Sequence, residues 1–219
     1  MPLILVTNDD GYRSQGIVSL ADALSTVGDV LVVAPTEEAS AIGHALTLRR
    51  PLRLEQIRPN FYGVDGTPTD CVNIAITQVL AGKLPDLVVS GINKGWNLGD
   101  DITYSGTVSG ALEAALLGCP GIAVSLKRTR GTFDFGPSAE AAATVAKMVL
   151  ASGIPHHIPA KKQAAEEFAV DCRLRRFART GGELDFGNSA NFVKRGAGDD
   201  QIFVKRGFQS RKVLARAVD

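Results

Sequence analysis

The chain predicts an α/β domain, a mostly parallel β-sheet covered by helices. Buried-strand signals and amphipathic-helix signals alternate along residues 1–154 with short turns between them, which is the pattern of βαβ units. Hydrophobic residues make up 45% of the 219 and charged residues 21%, enough apolar material for one ordinary core.

The elements follow in order. Residues 3–6 (Leu-Ile-Leu-Val) form a buried strand that stops at Asn8-Asp9-Asp10-Gly11. Residues 17–27 read as a helix, with Ile17, Leu20, Ala21, Leu24 and Val27 on one face and Gly28 as its stop. A second buried strand covers 30–34 and meets Pro35. Residues 47–57 alternate loosely and suit an edge strand or hairpin; 61–64 suit another short strand. Thr67 can cap a helix whose first turn takes Pro68, running to about Leu80. A third buried strand spans 86–90, followed by a Gly- and Asn-rich loop over 91–104. Ser105 or Thr107 opens a helix to Leu117, stopped by Gly118. Residues 122–126 are a fourth buried strand, and 137–150 an Ala-rich helix. Beyond Pro155 no period persists, apart from a weak helix signal over 161–170.

Composition excludes several classes of function. No apolar run approaches the roughly 20 residues that span a bilayer, so no membrane association is expected. The net charge of +1 argues against nucleic acid as partner. Cys71, Cys119 and Cys172 have neither zinc nor disulfide spacing and are expected as buried small hydrophobes in a reducing compartment. Charge is unevenly spread: residues 1–154 hold 11 Lys and Arg against 15 Asp and Glu, and the rest hold 13 against 8. The chain therefore divides into a core, 1–154, and an atypical tail, 155–219, irregular in pattern and with a basic surplus.

Chemistry gathers at strand ends. In a parallel sheet the carboxyl ends of neighbouring strands open on one edge, where ligands bind. Strand one ends in Asp9 and Asp10, which repel each other unless a proton or cation lies between them. The loop after strand two carries Ser40 and His44; the third buried strand leads to Asn93. Asp9, Asp10, Ser40 and Asn93 form an all-oxygen set that suits one divalent cation, Mg²⁺ or Mn²⁺, better than zinc. Ser105-Gly106-Thr107 at a helix start offers backbone N–H groups and hydroxyls to an anion, or serves as an ordinary cap. His44 suits a general acid, a phosphate donor or a structural histidine; Trp96 suits base stacking or a core edge. Neither GxxxxGK[ST] nor GxGxxG is present, so a nucleotide-cofactor fold is not supported.

Five segments then fall in one order: Ile4-Leu5-Val6-Thr7-Asn8-Asp9-Asp10-Gly11-Tyr12, Val33-Ala34-Pro35 with Ser40 and Gly43-His44-Ala45-Leu46-Thr47-Leu48, Gly66-Thr67-Pro68-Thr69-Asp70-Cys71-Val72, Asp86-Leu87-Val88-Val89-Ser90-Gly91-Ile92-Asn93-Lys94-Gly95, and Asn97-Leu98-Gly99 with Thr103-Tyr104-Ser105-Gly106-Thr107-Val108. Together they resemble the SurE family, the stationary-phase survival proteins. The resemblance implies a Rossmann-like three-layer αβα fold and a metal-dependent nucleotidase that hydrolyses nucleoside 5′- and 3′-monophosphates. It places the metal ligands on Asp9, Asp10, Ser40 and Asn93. Asp9 or Asp10 is then the base, and Asn93, Ser105, Gly106 and Thr107 hold the substrate. It also implies a cytoplasmic homodimer or tetramer.

The chain departs from that family in two places. Ala41 stands where the family has glycine after the serine ligand. After Pro155 the expected strand, reading like Leu-Asn-Val-Asn-Val-Pro, is replaced by Pro155-His156-His157-Ile158-Pro159. The chain is also short for the family, and the loss of period with a rise in basic charge is what a frame-shifted or degraded tail looks like. The alternative function is therefore a protein of the same fold that binds nucleotide or metal without turnover.

Overall fold

The computed structural model describes residues 1–97, 99–126 and 132–152, and the backbone of two strands, Phe168–Asp171 and Asp200–Lys205. Its centre is β1 (Leu3–Thr7), which pairs in parallel with β2 (Asp29–Pro35) on one side and β5 (Leu87–Lys94) on the other. Beyond β2 lies β4 (Phe61–Val64), parallel, and then β3 (Leu54–Arg58), antiparallel at the edge. Beyond β5 lies β6 (Gly121–Leu126), again parallel. From β1 the chain first builds the sheet in one direction and then, from β5, in the other. The crevice between β1 and β5 is thus a topological switch point.

Alternation along β1 divides the core into layers. Ile4 and Val6 face one cluster with Ile17, Leu20, Leu24, Phe135 and Ala142, contributed by α1 (Gln15–Leu24) and α4 (Phe135–Ser152). Leu5 faces the other, with Cys71, Val72 and Ala114, contributed by α2 (Pro68–Ile74) and α3 (Gly106–Leu116). Ile4, Leu5 and Val6 are fully buried, each contributing about 1.5–3 kcal/mol to folding. This is the expected three-layer α/β fold.

Several boundaries move for local reasons. Ser14 caps α1 by accepting from the Ile17 N–H at 3.4 Å, and the helix ends at Leu24 in turns, short of Gly28. At α2, Thr67 and Asp70 form a reciprocal capping box with Pro68 in the first turn. The helix expected to run on to Leu80 changes to a π-helical turn over Ala75–Val79. Strand β5 continues four residues past Ser90 to Lys94, so Asn93 stands on a strand rather than in a loop. A register shift between Ser90 and Asn93 accompanies this extension. The remainder of the expected loop holds a 3₁₀ turn over Gly99–Thr103.

Two strands come from the stretch without a sequence period. β8 (Asp200–Lys205) pairs antiparallel with β6, and β7 (Phe168–Asp171) pairs antiparallel with β8. Of the helix expected over 161–170, residues 161–167 lie outside the described residues, and Phe168-Ala169-Val170 is strand. The physical reason lies in composition: Ile202-Phe203-Val204 is rich in β-branched and aromatic side chains, and pairing along β6 determines the outcome that four to six residues of pattern cannot. Cys71 and Cys119 are buried free thiols as expected, and burial raises the pKa of both, Cys119 to about 11. Cys172 lies outside the described residues.

Candidate active site

The turn after β1 is built around Asn8. Its buried side chain donates to the Gly11 carbonyl at 3.0 Å and to Ser14 Oγ at 2.8 Å, which folds the chain back into α1. The two following carboxylates are held differently.

Asp9 is 4% exposed and sits against the first turn of α3. Its Oδ2 accepts the Thr107 backbone N–H at 3.0 Å and its Oδ1 accepts Thr107 Oγ1 at 2.5 Å. Gly106 is required by this approach: a Cβ there would lie 2.8 Å from the Asp9 Cβ and 3.2 Å from the Ala39 carbonyl. Burial pushes the Asp9 carboxyl above its ordinary pKa, the Thr107 hydroxyl partly offsets this, and the neighbouring Asp10 charge adds to the rise. The α3 N-terminus thus already faces an anion, and that anion is Asp9. Thr107 gives both of its donors to Asp9. Ser105 Oγ accepts from the Val108 N–H at 3.1 Å as an N-cap. Of the expected Ser105-Gly106-Thr107 cradle, the Gly106 and Ser105 N–H groups meet no acceptor among the described residues.

Asp10 has its side chain 8% exposed, with Lys94 Nζ 3.7 Å from Oδ1. Its Oδ2 is buried with no hydrogen-bond partner among the described residues, and Asn8 Oδ1 is in the same condition. Burial raises the Asp10 pKa, the Lys94 ammonium counters it, and the Glu38 charge raises it further. A buried carboxylate oxygen without a donor is an expensive arrangement that a cation relieves. Two hard oxygen anions, a hydroxyl and an amide fit Mg²⁺ or Mn²⁺. Among the described residues no group of three or more His, Cys, Asp or Glu side chains is placed to hold a metal, so a cation at Asp9 and Asp10 would need neutral donors as well.

Ser40 and Asn93 come to this edge through their neighbours. The Ala39 N–H donates to the Asp9 carbonyl at 2.7 Å, and Lys94 faces Asp10. Ser40 itself is exposed and its Oγ donates to Glu38 Oε1 at 2.8 Å, with no bond to either aspartate. Asn93 Nδ2 donates to the Gly95 carbonyl at 3.1 Å. Trp96 is 39% exposed. His44 Nε2 lies 2.6 Å from Glu113 Oε2, so of its expected uses the hydrogen-bonded structural one is visible. Sequence reasoning missed Lys94, Glu38 and Glu113. The signal for Glu113 was present: it is the single charged residue in the apolar helix α3.

The profile described as "Survival protein SurE" matches residues 4–171. The chain belongs to the SurE family. Its SurE relatives include the 5′-nucleotidase SurE of Pelobacter propionicus, 57% identical over 152 residues that cover 69% of this chain and 61% of that protein. The 5′-nucleotidase SurE of Geobacter sulfurreducens is 59% identical over 152 residues, covering 69% and 58%. Among solved structures, the SurE protein from Aquifex aeolicus superposes with a TM-score of 0.65 at 48% identity, covering 70% of this chain and 62% of that one. The matched stretch therefore spans about three-fifths of the length of these SurE relatives.

Proposed function

We propose that this chain carries the site of a metal-dependent phosphomonoesterase that splits nucleoside 5′- and 3′-monophosphates into nucleoside and phosphate. The observation behind the reading is the pairing at the switch point of buried Asp9 with half-buried Asp10, whose Oδ2 is buried with no hydrogen-bond partner among the described residues. The SurE relatives named 5′-nucleotidase support the substrate class.

One divalent cation, Mg²⁺ or Mn²⁺, would be held by Asp9, Asp10, Ser40 and Asn93; when bound it supplies Lewis acidity and offsets phosphate charge. The protein's own groups divide the remaining work. Asp9, with both oxygens engaged by Thr107, is a fixed anion. Asp10 is the freer carboxylate and takes the proton of the attacking water as the new O–P bond forms. The ester P–O bond breaks in line, and the nucleoside oxygen is protonated from solvent. Lys94, the Gly106 N–H and the Asn93 amide hold the phosphate oxygens as charge builds on them. Ser105 and Thr107 keep the α3 terminus in place for this. A cytoplasmic homodimer or tetramer belongs to the same proposal. Among the described residues no helix is long and apolar enough to cross a membrane.

Phosphate release from 5′-AMP by metal-stripped protein, with and without Mn²⁺ and beside Asp9→Asn, tests the reading. Mn²⁺-dependent turnover lost in Asp9→Asn is the expected result. A second reading, binding without turnover, draws on the match covering only 69% of this chain. Mn²⁺ binding by folded protein with no phosphate release would favour it.

A further inference from the structure

Glu113 is a buried carboxylate, 6% exposed, two turns along α3 from Thr107. Both of its oxygens are used: Oε2 by His44 Nε2 at 2.6 Å, and Oε1 by Asn73 Nδ2 of α2 at 2.6 Å. Asn73 Nδ2 also reaches the Thr69 carbonyl at 3.2 Å. One charge therefore joins α3, α2 and the loop that follows β2. Among the described residues the bonds of His44, Glu113 and Asn73 run to one another and to the Thr69 carbonyl, and none reaches Asp9 or Asp10, so the network calls for its own explanation.

That explanation lies in the loop. Residues 36–51 bury little apolar surface, Ile42 being 44% exposed, Leu46 49% and Leu48 85%; only beyond them does Leu52 pack against the core. Hydrophobic burial does not hold such a segment, so polar ties must. Downstream it is stapled to the α2 cap, by Thr67 Oγ1 on the Ala45 carbonyl at 2.7 Å and by the Thr47 N–H and Oγ1 on Asp70. Upstream the Ala39 N–H holds the Asp9 carbonyl, and the Gly43 N–H holds the Tyr104 carbonyl at 3.0 Å. Ser40 lies between these two upstream ties. His44, one residue past Gly43, is, among the described residues, the one whose side chain fastens this stretch to α3, the helix that also holds Asp9.

We propose that His44 and Glu113, braced by Asn73, are positioning residues: a latch that keeps the Ser40 segment registered against Asp9. The relevance to metal binding rests on the reading of Asp9, Asp10, Ser40 and Asn93 as ligands; the latch itself does not. Removing His44 leaves a buried carboxylate oxygen short of its partner, which weakens the hold of α3 on the loop.

The test is amide hydrogen exchange on the full chain, with Mn²⁺ affinity followed by the EPR signal of free Mn²⁺. In His44→Leu, exchange at the Ala39 and Gly43 amides is expected to rise about tenfold, the worth of a hydrogen bond to a charged group, while the Thr47 amide, held by Asp70, is unchanged. Mn²⁺ affinity is expected to fall by about tenfold or more, as for the loss of an outer-shell partner. His44→Gln, which keeps an N–H donor, restores both. Glu113→Gln, which keeps the side-chain shape and removes the charge, is read at the same three amides should His44→Leu not fold. Unchanged exchange at Ala39 and Gly43 overturns the latch. So does an equal rise at all three amides, which is general loosening. If the parent chain binds no Mn²⁺ while Ala39 and Gly43 respond as stated, the latch stands and the metal reading falls.

Discussion

The two sides of the carboxylate edge are built on different principles. On one side, β1 and α3 clamp Asp9 between a strand end and a helix N-terminus, with both oxygens satisfied by one residue, Thr107. On the other, the loop over 36–53 carries Ser40 in solvent, bonded to its own neighbour Glu38. The first side is set by the packed core. The second is set by a handful of polar ties. Carboxylates that repel each other need a rigid frame to stay together, whereas a neutral hydroxyl can be delivered by a segment that adjusts. The contrast predicts that damage to the β1–α3 side costs more than damage to the loop.

The largest effect is expected from Thr107→Val. It keeps shape and the backbone N–H but deprives Asp9 Oδ1 of its donor at 2.5 Å. An unpaired buried oxygen costs about 1–3 kcal/mol of stability, read from denaturant unfolding. A carboxylate displaced by an ångström costs turnover of about 10²-fold, read as phosphate release. Equal turnover in this variant would show that Asp9 is not held by α3 in any way that matters. Gly106→Ala comes next. Its methyl group meets the Asp9 Cβ at 2.8 Å and backbone at 3.2 Å, so strand end and helix must part. Overpacking of this kind costs about 1–3 kcal/mol, and a loss of turnover near tenfold should accompany it.

On the loop side, Ser40→Ala should shift unfolding by less than about 0.5 kcal/mol, because the hydroxyl is exposed. The Mn²⁺ concentration needed for half-maximal phosphate release should still rise about tenfold. A stability loss as large as that of Thr107→Val would erase the distinction between the two sides.

What the sequence reveals follows the same division. Strand β1 and its Asn8-Asp9-Asp10 ending were legible because period, turn chemistry and charge are all local. The helix start at Ser105 was legible for the same reason, but not what it faces: that Thr107 binds Asp9 depends on residues 98 apart in the chain. Asn93 was expected in a loop because Gly91-Ile92-Asn93 follows an apolar run. The strand continues through it with Gly91 at φ +143° and a register shift, a local irregularity that no period reports. Glu113 was a lone charge in an apolar helix, but its partners lie 69 and 40 residues away. Strands β7 and β8 were illegible because each is short and exists by pairing in series onto β6.

The smallest prediction concerns how the far end of the loop is fastened. Asp65, just past β4, accepts the Arg53 N–H at 2.6 Å through Oδ1 and faces Arg50 Nη1 at 3.0 Å through Oδ2; Arg50 Nη2 also donates to the Asp65 carbonyl. The hydrogen bond from the Arg53 backbone, and then the Arg50 charge, hold the Asp65 carboxyl below the ordinary carboxylate range. A folded-state pKa below the unfolded one means that folding favours the ionised form. The contribution is therefore complete above the unfolded pKa and disappears as pH falls through the folded value. Asp65→Asn should lower stability at pH 7 by a fraction of a kcal/mol, since the pair is largely exposed. The gap from the parent should close as the pH drops below about 4. The informative companion is Mn²⁺ affinity, which this variant should leave unchanged. The Thr47–Asp70 and Thr67–Ala45 ties lie between Asp65's partners and Ser40, and they isolate the site from what happens at residue 50. A fall in affinity would mean that the loop moves as one body, and that the latch at His44 is only one of several fastenings that set Ser40.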